Sequence, residues 1–334
     1  MNTNSLISRD ASTAIKGLLI LLIVFGHVGM LNTDFVTGEK TFLFKWLYTF
    51  HVHAFFILPF IYGYGSNNTL KRSILRTGVP YFWFFMLYLL VFLTVGGGSF
   101  NLNGVCYSFV VGSQPLLKEY IGFHLMWFLP AYFALTLIKS LWYNSGKLVR
   151  AICLAISIAI WGLSLFGVLD MSQIGRYAPF SLSEGFAYLL LGLATRKILE
   201  AFSVKVLWPC AVAGIVVMSV MLYFRCGIGA NLYYFARLLM PVFVFIVLYA
   251  IRDFLAKSRF LKFFGRYSLQ IYLTHVLVIN VLMTGLLHFT KESIPVGILI
   301  LFLSLAISSG IAVVIDKIAF LKKMLFPLQN HGSN

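Results

Sequence analysis

The sequence predicts an all-α fold: a polytopic integral membrane protein of about ten transmembrane helices with both termini cytoplasmic. Composition is the first reason. Of 334 residues, 60% are hydrophobic and 11% charged, and the mean hydropathy is +0.91, a balance that fits no soluble globular domain. The second reason is that apolar runs long enough to cross ~30 Å of hydrocarbon recur to the end of the chain. The third is charge. Nineteen of the 26 Lys and Arg residues fall on the side of the N-terminal segment and seven on the other, and it is cytoplasmic loops that carry such an excess.

In order, the spans read as 15–31, 43–64, 79–95, 123–139, 149–167, 184–197, 205–224, 232–250, 268–288 and 296–315, together one membrane domain over 1–334. The first follows Arg9, carries Lys16 at its start and has no small-x-small pattern after its apolar core. It is therefore expected to be a retained helix, not a cleaved signal peptide. Basic groups separate the spans on the N-terminal side. They are Lys71, Arg72 and Arg76; Lys139, Lys147 and Arg150; Arg196, Lys197 and Lys205; Arg252, Lys257, Arg259, Lys262 and Arg266; then Lys317, Lys322 and Lys323. The other side holds Lys40, Lys45, Lys118, Arg176, Arg225, Arg237 and Lys291. Dropping one helix would scramble this alternation. The 17% of aromatic residues, 33 of them Phe, suit lipid-facing and interfacial surfaces. The net charge of +16 is accounted for by topology and anionic lipid, so membrane lipids are expected partners and nucleic acid is not.

Pro59, Pro130 and Pro241 fall inside spans, where each removes a backbone bond and tends to kink its helix. Pro59 frees the Phe55 carbonyl just past a histidine pair, either for packing or to line a watery cavity. The four cysteines form no CxxC or other metal pattern. Cys153 and Cys210 lie inside spans. Cys106 and Cys226 lie in or near loops on one side, which leaves a disulfide between them open.

The residues most able to carry chemistry are ionisable groups within the spans, which are costly there and usually functional. His27 follows Lys16 by eleven positions in the first span. That is roughly 1100° of helix, so the two share one face about 16 Å apart. With Lys16 at a membrane surface, His27 sits about halfway through, where an imidazole that titrates near neutral pH can accept or give a proton. The competing role for His27 is a bond to a neighbouring helix, and for Lys16 a snorkelling helix end. His51 and His53 in the second span are two positions apart, hence about 200° on a continuous helix, and are expected to face different ways. One of them is a candidate to join His27. The two are not an i, i+4 metal pair, and no metal is expected. His124, beside Trp127, reads as an interfacial anchor. His275 lies nine residues from Arg266, again near mid-membrane. Glu184 follows Ser181-Leu182-Ser183, a capping-box spacing, and is otherwise a carboxylate for a hydroxylated acceptor. Arg237 is too deep for a plain topology charge and is a candidate to pair with a carboxylate or bind an anion. Lys71, Arg72 and Arg76 form a positive loop whose arginine forks also match phosphate oxygens. No G-x-S-x-G, Walker A, GxGxxG or HExxH motif occurs, which argues against a serine hydrolase, an ATPase or a zinc protease. No repeat of broken half-helices marks a secondary transporter.

The Lys16-to-His27 spacing resembles the signature of the membrane acyltransferase-3 family, a basic residue and a histidine separated by ten residues in the first helix. That family includes bacterial O-antigen O-acetyltransferases and relatives of fucose 4-O-acetylases. Phe50-His51-Val52-His53-Ala54-Phe55-Phe56 through Tyr62-Gly63-Tyr64 is similar to its second helix, and Lys71-Arg72 to Pro80-Tyr81 to its basic loop. His124 to Leu129 and Gly265 to His275 resemble later stretches. Thr13 stands where the family often has Asp, and the nearest acid is Asp10. The resemblance implies a bacterial inner-membrane O-acyltransferase. It would take acetyl from acetyl-CoA, bind no permanent cofactor, and acylate a hydroxyl of a lipid-linked or surface glycan. On that pattern His27 is the general base, Lys16 orients or neutralises the donor, and Lys71, Arg72 and Arg76 hold the CoA phosphates. His275 or one of His51 and His53 completes a polar cavity. A transporter or flippase of lipid-linked sugars, and a non-catalytic subunit of a glycan-assembly complex, are the competing functions.

Overall fold

A computed structural model describes residues 5–34, 37–62, 70–95, 100–168, 176–224 and 229–328. Cys226, Gly63 and Tyr64 lie outside the described residues. Within the described residues the chain is helical, with a lone Thr33–Lys40 bridge and no strand.

The helices are α1 (Arg9–His27), α2 (Gly29–Asn32), α3 (Phe42–Leu47), α4 (His53–Ile61), α5 (Leu70–Ser73), α6 (Val79–Thr94), α7 (Leu102–Val111), α8 (Gln114–Ile121), α9 (Phe128–Asn144), α10 (Lys147–Leu165), α11 (Leu182–Ala201), α12 (Val204–Phe224), α13 (Gly229–Ala250), α14 (Arg252–Lys257), α15 (Arg259–Arg266), α16 (Ser268–Leu287), α17 (Ile294–Lys317) and α18 (Ala319–Leu325). A π-helical stretch, Ile74–Gly78, joins α5 to α6. The chain forms two compact units, one of Met1–Tyr64 with Gly192–Lys317 and the other of Gly65–Leu191 with Ile318–Asn334.

Eight helices among the described residues are long and apolar enough to cross a membrane: Arg9–His27, Leu70–Thr94, His124–Asn144, Lys147–Leu165, Val204–Phe224, Leu232–Ala250, Ser268–Leu287 and Ile294–Lys317. Their surfaces match an apolar solvent. On α12, Val206, Trp208, Val212, Val216, Val217 and Val220 are each 38–60% exposed, an apolar face that water would not tolerate at that size. The molecule is thus an all-α, multi-pass membrane protein.

Two expected spans take another form. The 43–64 stretch is interrupted: α3 ends at Leu47, residues 48–52 form turns, and α4 begins at His53. The 184–197 stretch lies inside the longer α11, which carries Glu184, Arg196, Lys197 and Glu200. Two charges assigned to loops are in fact buried in helices, Lys139 in α9 and Arg196 in α11. Pro59 and Pro241 are inside helices. Pro130 is the third residue of α9, three residues after the His124–Trp127 3₁₀ turn.

Helix α1 starts at a Ser8 cap, whose hydroxyl accepts from the Ala11 N–H at 3.1 Å, with Asp10 in the first turn. It packs against α15 at backbone distance. A Cβ on Gly17 would run into the Leu261 carbonyl, and one on Gly265 into the Thr13 carbonyl. Small residues at such a crossing let two helix backbones meet. An exposed Lys262–Asp10 ion pair at 2.8 Å accompanies the crossing.

Candidate active site

The first unit brings His27, His275, His51, His53 and Arg237 into one polar cluster, with Tyr48 among them. Helix α1 stops at His27 because Val28 leaves the helical region (φ −78°, ψ 96°). The buried Asn32 side chain closes that end: its Nδ2 donates to the Phe25 carbonyl at 2.7 Å and the Val28 carbonyl at 3.0 Å. The imidazole of His27 therefore stands at the C-terminal end of a helix, where aligned carbonyls favour positive charge. His275 fixes the level, lying seven residues, about 10 Å, into α16.

The ring contacts determine where the protons are. His27 Nδ1 lies 2.7 Å from the Ile23 carbonyl and 3.3 Å from His275 Nε2. A carbonyl only accepts, so His27 Nδ1 carries the hydrogen, and in the neutral ring Nε2 then carries the lone pair. His275 is set the same way, with Nδ1 at 3.0 and 2.8 Å from the Ile271 and Tyr272 carbonyls. Its Nε2 is then the acceptor for the His27 Nδ1–H. The two rings meet edge to face, 5.0 Å between centroids. A neutral imidazole held by one nitrogen, with the other nitrogen basic, is the form a general base requires.

His53 is the first residue of α4, and His51 precedes it across Val52, whose backbone is helical (φ −77°, ψ −40°). They take different partners. His51 Nδ1 donates to the Leu47 carbonyl at 2.6 Å. Its buried Nε2, which has no hydrogen-bond partner among the described residues, would lie 3.7 Å from a Cβ on Gly26. The Tyr48 ring packs between the two sites, 4.7 Å from His51 and 5.9 Å from His27. His51 is thus the member of the pair on the His27 side. His53 Nε2 accepts from Arg237 Nε at 3.1 Å. Arg237 also covers the Tyr233 ring at 5.7 Å, so its observed partner is a neutral imidazole rather than a carboxylate.

The other sequence candidates divide between the units. Lys16 is half-buried on α1, three turns before His27. Lys71, Arg72 and Arg76 are exposed in the second unit, along α5 and the π-helical stretch. The Arg76 guanidinium there lies 5.8 Å from the Tyr132 ring centre. Glu184 is also in the second unit and accepts from the Ser183 hydroxyl at 2.7 Å, while Ser181 donates to the Gly112 carbonyl at 3.1 Å. His124 opens a 3₁₀ turn before α9. Among the described residues no group of three or more metal-ligating side chains occurs.

Residues 10–313 match the acyltransferase-3 family, described as an acyltransferase domain. The chain belongs to that family. No curated protein and no solved structure matches it. The protein is therefore a membrane acyltransferase, and the match extends over both α1 and α16, the helices that carry the paired histidines. Three residues of this acyltransferase's first unit escaped the sequence reading. Tyr48 lies in a turn that periodicity cannot place. Asn32 lies one residue past the expected end of the first span and belongs to no motif. Arg196, counted as a loop charge, donates from Nη1 to the Phe60 carbonyl at 2.7 Å and from Nε to Glu200 at 2.7 Å.

Proposed function

We propose that this protein is a bacterial inner-membrane O-acetyltransferase with both termini cytoplasmic. It moves acetyl from cytoplasmic acetyl-CoA to a hydroxyl of a surface polysaccharide of O-antigen type, or of its lipid-linked precursor. The observation that supports this best is the ring arrangement at His27, with Nδ1–H held by the Ile23 carbonyl and His275 and Nε2 left basic. His27 Nε2 takes the proton of the acceptor hydroxyl as the hydroxyl oxygen attacks the thioester carbonyl. The C–O bond forms, the C–S bond breaks, and the leaving thiolate recovers the proton from His27. The products are CoA and the acetyl ester. The Ile23 carbonyl and His275 Nε2 face the ring nitrogen over which the transient positive charge spreads. Lys16, nearer the cytosol on the same helix, offsets the donor's negative charge. Lys71, Arg72 and Arg76 hold the CoA phosphates through charge-assisted bonds. His51, and Arg237 through His53, complete the polar lining.

The test is transfer of label from radiolabelled acetyl-CoA to membrane glycan, comparing wild type with His27→Ala at matched expression. The expected result is label with wild type and its loss in the variant. Equal transfer by both removes His27 from the mechanism. No label from either, with a verified acceptor present, rejects the acetyl-CoA reading.

A further inference from the structure

A cleft of about 300 Å³ opens beside the candidate site, lined by Gly29, Met30, Thr33, Asp34, Gly38, Met283 and Glu292. We infer that this cleft seats the acceptor, and that the ligand it selects is an uncharged, hydroxyl-rich sugar residue rather than an acidic one. The inference rests on the acyl-transfer reading for the identity of the ligand, and it adds to it the location and charge class of the acceptor.

The first argument is position. Gly29 follows His27 by two residues, so their Cα atoms are at most about 7.6 Å apart. Met283 lies eight residues beyond His275 on α16, about 12 Å further along that helix. The cleft thus starts two residues past His27 and runs to the turn between α16 and α17, where Glu292 lies. An acceptor entering there presents a hydroxyl to the His27 end of α1.

The second argument is chemistry. Volume places the cleft at the small end of the ~300–1,000 Å³ range of ligand pockets, room for about one sugar ring. Asp34 and Glu292 supply carboxylate oxygens, each an acceptor for more than one hydroxyl. Met30 and Met283 supply the soft apolar surface that a sugar's C–H face packs on. The polar wall is pre-set. Asp34 Oδ1 accepts from the Thr37 N–H at 2.9 Å, and the Asp34 N–H donates to the Glu39 carbonyl at 2.8 Å. Lys40 Nζ donates to Thr33 Oγ1 at 3.0 Å, leaving that hydroxyl's own hydrogen to give. The two charged side chains that line so small a space are both carboxylates, which disfavours a uronate or phosphate by like-charge repulsion.

The third argument is room. A Cβ on Gly29 meets nothing within 4 Å, so a large side chain added there projects into open space rather than into the core.

The experiment uses the full chain, purified in detergent, and saturation-transfer NMR with methyl glucoside, methyl galactoside and methyl rhamnoside against methyl glucuronide. Wild type and His27→Ala are expected to bind the neutral glycosides. Gly29→Trp is expected to lose them and Gly29→Ala to keep them, and Glu292→Gln to weaken them by about tenfold, the loss of one charge-assisted bond. The glucuronide is expected to bind at least about tenfold more weakly than the neutral sugars. Were Gly29→Trp to misfold, Glu292→Gln carries the test. Binding unchanged in Gly29→Trp or in Glu292→Gln, equal or better binding of the glucuronide, or no glycoside binding overturns the inference. Neutral-sugar binding with the expected variant pattern, but no acetyl transfer by wild type, leaves the cleft standing and rejects the acetyltransferase reading.

Discussion

Replacing His275 with Phe keeps a ring of similar size at a position that is 0% exposed while removing the acceptor for the His27 Nδ1–H. The lost contact is 3.3 Å long, at the weak end of hydrogen-bond geometry. The shorter 2.7 Å bond to the Ile23 carbonyl remains. A hydrogen bond to a group that becomes charged is worth about 1.5–3 kcal/mol, and the long distance places this one at the lower end. About 1.5 kcal/mol corresponds to a fall of roughly tenfold in kcat. KM for acetyl-CoA is expected to stay the same, because His275 acts through His27 and not on the donor. His27→Ala removes the base itself and is expected to cost about 10²–10⁴-fold. The decisive assay is therefore the double variant, by label transfer at saturating donor. If His275 works only through His27, His27→Ala with His275→Phe is no slower than His27→Ala alone, since residues acting as one unit are not additive. Independent multiplication of the two losses, or a His275→Phe enzyme with wild-type kcat, would refute the proton assignment on which the mechanism is built.

Three further outcomes follow from the structure. Gly17→Ala and Gly265→Ala force a Cβ into a backbone carbonyl and are expected to cost at least about 1–3 kcal/mol. Size-exclusion profiles after heating would show the loss, while Gly285→Ala, which meets nothing within 4 Å, should be neutral or stabilising. Arg196→Ala leaves the Phe60 carbonyl without its 2.7 Å donor and should destabilise by about 1.5–3 kcal/mol, read as a lower Tm in detergent. Alanine at Lys71, Arg72 or Arg76 should raise KM for acetyl-CoA by about tenfold per residue, the value of one charge-assisted contact. These side chains are exposed, so stability should move by less than about 0.5 kcal/mol; an unchanged KM would remove the trio from donor binding.

Much of the fold was legible because lipid imposes simple rules on sequence. Long apolar runs had to be helices, and the eleven-residue step from Lys16 to His27 does fall on one continuous helix, Arg9–His27. His275, placed near mid-span by counting from Arg266, is found buried inside α16 and in contact with His27. What the reading missed has a common physical origin. Counting charges near span ends assumes that a basic residue there is solvated. Arg196 breaks that assumption because the open C-terminal carbonyls of α4 provide an acceptor worth burying a guanidinium for. Lys139 breaks it by packing within 5.9 Å of the Tyr143 ring centre.

The interruption of the second span is the more instructive miss. Its composition is as apolar as its neighbours, so periodicity alone continues the helix through His51 and His53. Side chains in the stretch instead compete with the backbone for its own carbonyls. Thr49 Oγ1 donates to the Trp46 carbonyl at 2.6 Å, and His51 Nδ1 to the Leu47 carbonyl at 2.6 Å. Backbone N–H groups meanwhile shorten their reach, with Thr49 bonding to Trp46 and Phe50 to Leu47. Hydroxyls and rings that bond three or four residues back offer such alternatives to a regular helix. Across this stretch His51 and Tyr48 face Gly26 and His27 on one side while His53 meets Arg237 on the other, the divergence that a two-residue step along a helical backbone produces.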